Sequence, residues 1–313
     1  LPGADRRPAC VHERSREKGL IVISGGRGLV GRALMAECLR RGDAVRVLTR
    51  GAPRSAFERH WNPAAPAGEA LAGAGAIVHL AGATIARRWS DTRRREIRDS
   101  RVGSTRALVA ALGPLARRPR VLVSASAIGI YGDRGDQWLT ESSAVGEGFL
   151  ATLAKDWEDE AARAETLGVR VVMLRFGIVL DRGGGVLARL IPLFRFGLGG
   201  APGSGRQWWS WIAIADAVRL VLYSMEQADW RGAVNAVSPA PVTALEFAHA
   251  LGRVLSRPAL APAPAPMLRL VFGAMADEVL LSSQRVEPAR LNSGGFEFAH
   301  PELEGALGAA CKS

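Results

Sequence analysis

The amino-acid sequence predicts a doubly wound α/β protein, a parallel sheet with helices on both faces, carrying a smaller and mainly helical C-terminal lobe on its substrate side. Three observations predict it. Apolar, β-branched runs recur through the first part of the 313 residues. Segments of helical periodicity separate them, and the first run ends in a glycine-rich corner that opens the first such segment.

The runs are "LIVIS" (20–24), "AVRVLT" (44–49), "AIVHLAG" (76–82), "RVLVSAS" (120–126) and "VRVVMLRFG" (169–177). Each is apolar at consecutive positions, as a strand covered on both faces must be. Stretches such as "GRALMAECLRRG" and "GSTRALVAALGPLARR" supply the covering helices. Past residue 180 the rhythm changes to a segment rich in glycine and aromatics. A helix over "IADAVRLVLYSMEQ" and a short strand over "GAVNAVS" follow, and beyond about 243 the chain is helical with an Ala-Pro break. The expected organisation is a loose extension over 1–18, a nucleotide-binding domain over 19–242 and a helical lobe over 243–307.

Composition narrows the function. No apolar run is long enough to span a bilayer, and the polar first 18 residues lack a signal-peptide core. Cys10, Cys38 and Cys311 are too few and too scattered for a disulfide framework or a metal site, which makes a reducing cytoplasm the simplest setting. The formal charge of +11 would ordinarily suggest nucleic acid. Here the cations are spread along the chain, and the densest cluster, residues 87–101, also holds Asp91, Glu96 and Asp99. That is the pattern of a solvated helix face, so a small anionic molecule is the preferred partner, with no nucleic acid, membrane or metal expected. The protein itself is expected to be a monomer or homodimer.

The corner "SGGRGLVG" places Gly25, Gly28 and Gly31 at a strand-to-helix turn. The first glycine permits the sharp turn, the second lets a pyrophosphate approach backbone amides, and the third brings the helix close to the sheet. The helix N-terminus adds partial positive charge. Residues 25–31 (Gly25, Gly26, Arg27, Gly28, Leu29, Val30 and Gly31) are therefore the candidate dinucleotide cradle of a Rossmann-type fold; the alternative is a tight turn without a ligand. The second strand ends in Thr49 and Arg50, where a carboxylate would mark a preference for NAD. A guanidinium suits a 2′-phosphate, which favours NADP(H), although Arg50 also fits an ordinary solvated position after a strand.

Together "SGGRGLVGRAL", "VHLAGATIARRWSDTRRREIRDSRVGSTRAL", "VSASAIGIYGDRGD", "LRFGIVLDRGGG", "GLGGAPGSGRQWWSWI" and "MADEVLLSSQRV" resemble the atypical extended short-chain dehydrogenase/reductases, the epimerase family with a C-terminal DUF1731 segment, from about residue 19 to 307. The resemblance implies an NADP-binding domain with substrate between it and the lobe. It places Leu80, Ala81 and Gly82 beside the adenosine, with Glu96 and Arg101 on the following helix. The chain departs from that family at Arg27, commonly Thr; at "GATI" for "GENI", which changes Ala83 and Thr84; and at "WIAIAD" for "WIHIDD", where Ala213 and Ala215 leave only Asp216.

The catalytic signature of short-chain dehydrogenases, a Tyr-x-x-x-Lys pair, is absent. Tyr131 and Tyr223 are each followed four residues later by a residue other than lysine, and Lys155 is out of register. Ser124, Ser126 and Tyr131 remain near the end of the fourth strong strand. Ser126 could bond a substrate carbonyl, and Tyr131 could donate a proton if its pKa were depressed; equally, these side chains could finish the strand and pack the turn. Trp208, Trp209 and Trp211 form either an aromatic substrate wall or loop packing. Two functions stay open: an NADP(H)-dependent oxidoreductase or epimerase on a small carbonyl, hydroxyl or sugar-nucleotide-like compound, and an NADP(H)-binding sensor or interaction protein without turnover.

Overall fold

Seven strands form one all-parallel sheet: β1 (Leu20–Ser24), β2 (Val45–Thr49), β3 (Glu58–His60), β4 (Ala74–His79), β5 (Val121–Ala127), β6 (Arg170–Phe176) and β7 (Gly232–Ala236), in the order β7-β6-β5-β4-β1-β2-β3. The computed structural model describes residues 19–65 and 68–312; the extension expected over 1–18, with Cys10, lies outside the described residues. The order reverses direction at β1 and β4, so the carboxyl ends of these strands flank the crevice where ligands bind in such sheets.

The two-residue period of the strands sorts their apolar side chains into two cores. On one face Ile21, Ile23, Val45, Val47, Val121 and Val123 pack with Leu34 and Cys38 of α1 (Leu29–Arg40) and with Val218, Leu220 and Val221 of α6 (Ile214–Glu226). On the other, Val22, Ile77, Leu122 and Val171 pack with Leu108 and Leu112 of α3 (Ser104–Leu112) and Ala161 of α4 (Phe149–Ala162). A third cluster joins α5 (Leu187–Arg195), α7 (Ala244–Leu255) and α10 (Leu303–Lys312) through Phe194, Trp211, Phe247 and Leu307. Burial also raises the Cys38 thiol to about 11, which keeps it protonated and unreactive at neutral pH.

The chain beyond 243 holds α7, which opens on a capping box between Thr243 and Glu246, then α8 (Ala265–Phe272), α9 (Ala289–Ser293) and α10. It is laced into what precedes it. Arg285–Val286 pairs with Trp138–Leu139, and Val242–Thr243 with Trp208–Trp209. The buried carboxylate of Asp216 accepts the amides of Ala299 and His300, 2.7 and 2.9 Å away. The acid left by the "WIAIAD" departure therefore anchors the C-terminal segment. Among the described residues no helix is long and apolar enough to cross a membrane, and no group of three or more His, Cys, Asp or Glu side chains is placed to hold a metal ion.

Candidate cofactor and substrate cleft

At the carboxyl end of β1 the backbone turns through Gly25, whose φ of +79° lies in the left-handed region glycine tolerates. A Cβ there would stand 2.6 Å from the Leu80 carbonyl carbon, so the turn also lies hard against the end of β4. A Cβ on Gly31 would meet the Gly25 carbonyl oxygen at 2.3 Å, which makes the close approach of α1 to the corner possible only without a side chain. Gly28 is the N-cap of α1 and offers no side-chain cap. The first amides of the helix have no acceptor within it and face the cleft with the dipole's positive end. Bare backbone, a positive helix end and no capping side chain are what a diphosphate requires, and the corner fits one.

Two residues of the motif serve the corner from outside. Gly26 sits over β2, where a Cβ would stand 2.5 Å from Val47 Cγ1. Arg27 turns toward β3 and donates to Glu58 from Nε at 3.0 Å and from Nη2 at 2.8 Å. The Arg54 amide adds a bond of 2.6 Å to the same carboxylate. Arg27 and then the Arg54 amide hold the Glu58 carboxyl below the usual range. Arg27 is thus neutralised by a partner thirty-one residues on, away from the pyrophosphate position. At the end of β2 Thr49 is buried and Arg50 exposed, and no carboxylate among the described residues pairs with Arg50. An unpaired guanidinium at that edge suits a 2′-phosphate.

A single cavity of about 950 Å³ runs from this corner across the sheet edge to α8. Gly25, Gly28, Leu29, Val30, Gly31, Leu80, Ala81, Gly82, Arg101 and Ser126 line it. Arg101 comes from the helical turn between α2 (Asp91–Arg98) and α3; it donates to the Ala83 carbonyl at 3.0 Å and stacks over Trp157. Burial first, and the like charge of Arg93 second, push its pKa down to about 10, so it still carries its charge at neutral pH. Among the described residues no carboxylate compensates it. Glu96 is placed differently: it is exposed on α2, paired with Arg93, and outside the cavity.

Ser126 and Tyr131 part company. Ser126 lines the cavity and donates to Glu158 at 2.6 Å. Glu158 receives Arg175 from both Nε and Nη2 at 2.8 Å, and Arg175 donates on to the Tyr131 hydroxyl at 2.9 Å. Tyr131 in turn donates to Asn235 at 2.6 Å and is fully buried beneath the cavity floor. Burial raises its pKa, an effect that Arg175 and Asn235 only partly oppose. The depressed pKa that proton donation would need is thus not what the surroundings produce, and the phenol does not reach the cleft. Burial likewise opposes the charge of Arg175, but the bonds to Glu158 outweigh it and leave the guanidinium held above its usual pKa.

The missing Tyr-Lys pair has a clear structural counterpart. Leu150 and Ala154, four residues apart on α4, present an apolar surface to the cavity; Lys155 points outward to Asp159. Trp208 and Trp209 also line the cavity, while Trp211 is wholly buried and donates to the Ala240 carbonyl. The sequence reading assigned no role to Glu278, although it lies inside the quoted "MADEVLLSSQRV". Its carboxylate accepts the amides of Phe149 and Leu150 at 3.2 and 2.7 Å, capping α4 at the cavity wall. Among the described residues lining the cavity it is the one carboxylate, and only the fold, joining positions over a hundred residues apart, reveals it.

Comparison with known proteins agrees with this geometry. The NAD dependent epimerase/dehydratase family matches residues 21–236, and the domain of unknown function DUF1731 matches 263–310. Epimerase family protein Mb2239 of Mycobacterium bovis is 42% identical over 296 residues, covering 93% of this chain and 97% of its own length. The human epimerase family protein SDR39U1 is 34% identical over 291 residues, covering 92% and 98%. A crystal structure of human SDR39U1 (isoform 2) with NADPH superposes with a TM-score of 0.88 at 32% identity, over 94% of this chain and 99% of that one. The nucleoside-diphosphate sugar epimerase of Corynebacterium glutamicum gives 0.77 at 36% identity, over 93% of this chain and 58% of that one. The chain belongs to the NAD dependent epimerase/dehydratase family, in the branch that carries a C-terminal DUF1731 segment.

Proposed function

We propose that the protein is an NADP(H)-dependent oxidoreductase or epimerase acting on a carbonyl or hydroxyl compound. The observation that carries this reading is the continuity of one cavity from the glycine corner, with unpaired Arg50 nearby, to Ser126 and Arg101. The human relative crystallised with NADPH supports it. The amides of residues 28–31 would hold the diphosphate, Thr49 and Arg50 the 2′-phosphate, and Leu80, Ala81 and Gly82 the adenosine side. When bound, NADPH supplies a hydride to a carbonyl carbon while a proton joins its oxygen, and NADP+ takes the hydride back from the alcohol.

The remaining work falls to this chain. Ser126, fixed by Glu158 and Arg175, orients the substrate oxygen. Arg101 stabilises negative charge as it develops there. Glu278, the one carboxylate lining the cavity, is held at the wall by the Phe149 and Leu150 amides and is the candidate acceptor for the proton that leaves that oxygen.

A fluorescence titration with NADPH followed by stopped-flow mixing with a panel of aldehydes and ketones tests the reading. Oxidation of bound NADPH, slowed roughly a hundredfold in Ser126→Ala with its cofactor affinity unchanged, is expected. Tight NADPH binding with no turnover across the panel would favour a sensor, the reading that the apolar Leu150 and Ala154 support.

A further inference from the structure

The half of the cavity away from the glycine corner has a distinct chemistry. Its walls are Leu153, Leu190, Phe194, Leu268, Phe272 and Met275, contributed by α4, α5, α8 and the turn after α8. Most of its polar groups are already engaged with the protein, the indole N–H groups of Trp157 and Trp209 being exceptions. Ser210 donates to the Gln284 carbonyl at 2.8 Å, Ser282 to the Glu278 carbonyl at 3.0 Å, and the Gln284 amide to the Gly132 carbonyl at 3.1 Å. Arg189 is exposed on α5, leaving the interior of this half without a cation.

A nucleoside diphosphate sugar would bring two phosphates and several hydroxyls into this space. Each buried polar group left without a partner is destabilising, and an unpaired charge more so. The walls offer no array of donors to repay that. They do favour hydrocarbon, each methylene removed from water adding to affinity.

The apolar surface also continues outward. Leu193 and Leu198 line the cavity yet are 45% and 61% exposed. Phe196 and Leu260 are 82% and 80% exposed. The segment after α5 and the segment before α8 run side by side, because the Ala261 amide bonds the Gly199 carbonyl at 2.9 Å and Pro202 bridges to Ala263, so Leu198 and Leu260 belong to one rim. Hydrocarbon can therefore run from Ser126 to the outside without meeting a polar barrier.

Building on the functional reading above, we propose that the substrate is a largely hydrocarbon molecule with a single carbonyl or hydroxyl group. The oxygen-bearing end reaches Ser126 and the chain leaves between α5 and α8. A sugar nucleotide is excluded by the same walls.

The test uses Nile red as an apolar reporter on the full chain saturated with NADP+. Saturable dye fluorescence is expected, reversed by 1-dodecanol and unaffected by millimolar UDP-glucose. Leu198→Glu at the exposed rim and Leu190→Glu on the wall should each weaken dye affinity roughly tenfold while leaving NADPH affinity unchanged. Displacement by UDP-glucose, dye binding unchanged in both variants, or no saturable dye signal from a protein that binds NADPH would overturn the proposal. Failure to bind NADPH is a separate result that strikes the functional reading itself. Should the wall variant misfold, the rim variant and the two competitors still decide.

Discussion

The two ends of the cavity are built by opposite means. At the cofactor end, backbone shapes the site: glycines strip the corner to main chain, and the unfilled amides of α1 supply the donors. At the substrate end, side chains from α4, α5, α8 and the segment around Glu278 meet across long stretches of sequence. Beneath it lies a fully paired layer, Ser126 to Glu158 to Arg175 to Tyr131 to Asn235. A site made of backbone depends on a few local residues, whereas one made of packed side chains depends on the whole fold. Damage at one end should therefore leave the other measurable.

The strongest separation is expected beneath the substrate end. Arg175→Met would leave Glu158 buried without its bidentate partner, a loss of about 3–5 kcal/mol, read as a lower urea midpoint. The protein that remains folded should still bind NADPH normally; a parallel loss of cofactor affinity would join the two ends into one unit.

A smaller effect is expected from the corner. Gly31→Ala puts a Cβ where the Gly25 oxygen allows only 2.3 Å, so α1 must shift off the corner. NADPH affinity should fall roughly a hundredfold, about 2.7 kcal/mol, by isothermal calorimetry. Nile red binding should persist.

Smaller again is a pH effect at the seam between the ends. His79, at the end of β4, is wholly buried, and burial lowers its pKa from the ordinary 6.5 to about 4. The unfolded chain binds this proton more readily, so the associated stability is complete above pH 6.5 and is lost as pH falls toward 4. By pH 5 the loss should be about 2 kcal/mol. Unfolding free energies from urea titrations at pH 7 and 5 should differ by that much in the parent chain and converge in His79→Asn. An equal drop in both proteins would place the proton uptake elsewhere.

The same contrast governs what the sequence disclosed. The five strong strands and the strand-to-helix corner are local patterns, and the structure forms each of them. The orientation of Arg27 was not legible, because Glu58 lies on a three-residue edge strand with no apolar signature. Glu278 and the rim around Phe196 were hidden for a related reason: nothing near either in sequence names α4 or α8 as its neighbour. Tyr131 has two readings that sequence cannot separate, proton donor or packing of the turn. A tyrosine beside a strand end suggests chemistry, but the short helical turn Ile128–Tyr131 rotates it into the core.

The most direct measurement is a paired calorimetric titration with NADPH and NADH on the parent chain, Arg50→Asp and Arg27→Ala. The parent and Arg27→Ala should both bind NADPH about 10–100-fold more tightly than NADH, since a charge-assisted contact is worth roughly 1.5–3 kcal/mol. In Arg50→Asp the preference should vanish or reverse. An unaltered preference in Arg50→Asp, or no affinity for either dinucleotide in the parent chain, would contradict the account.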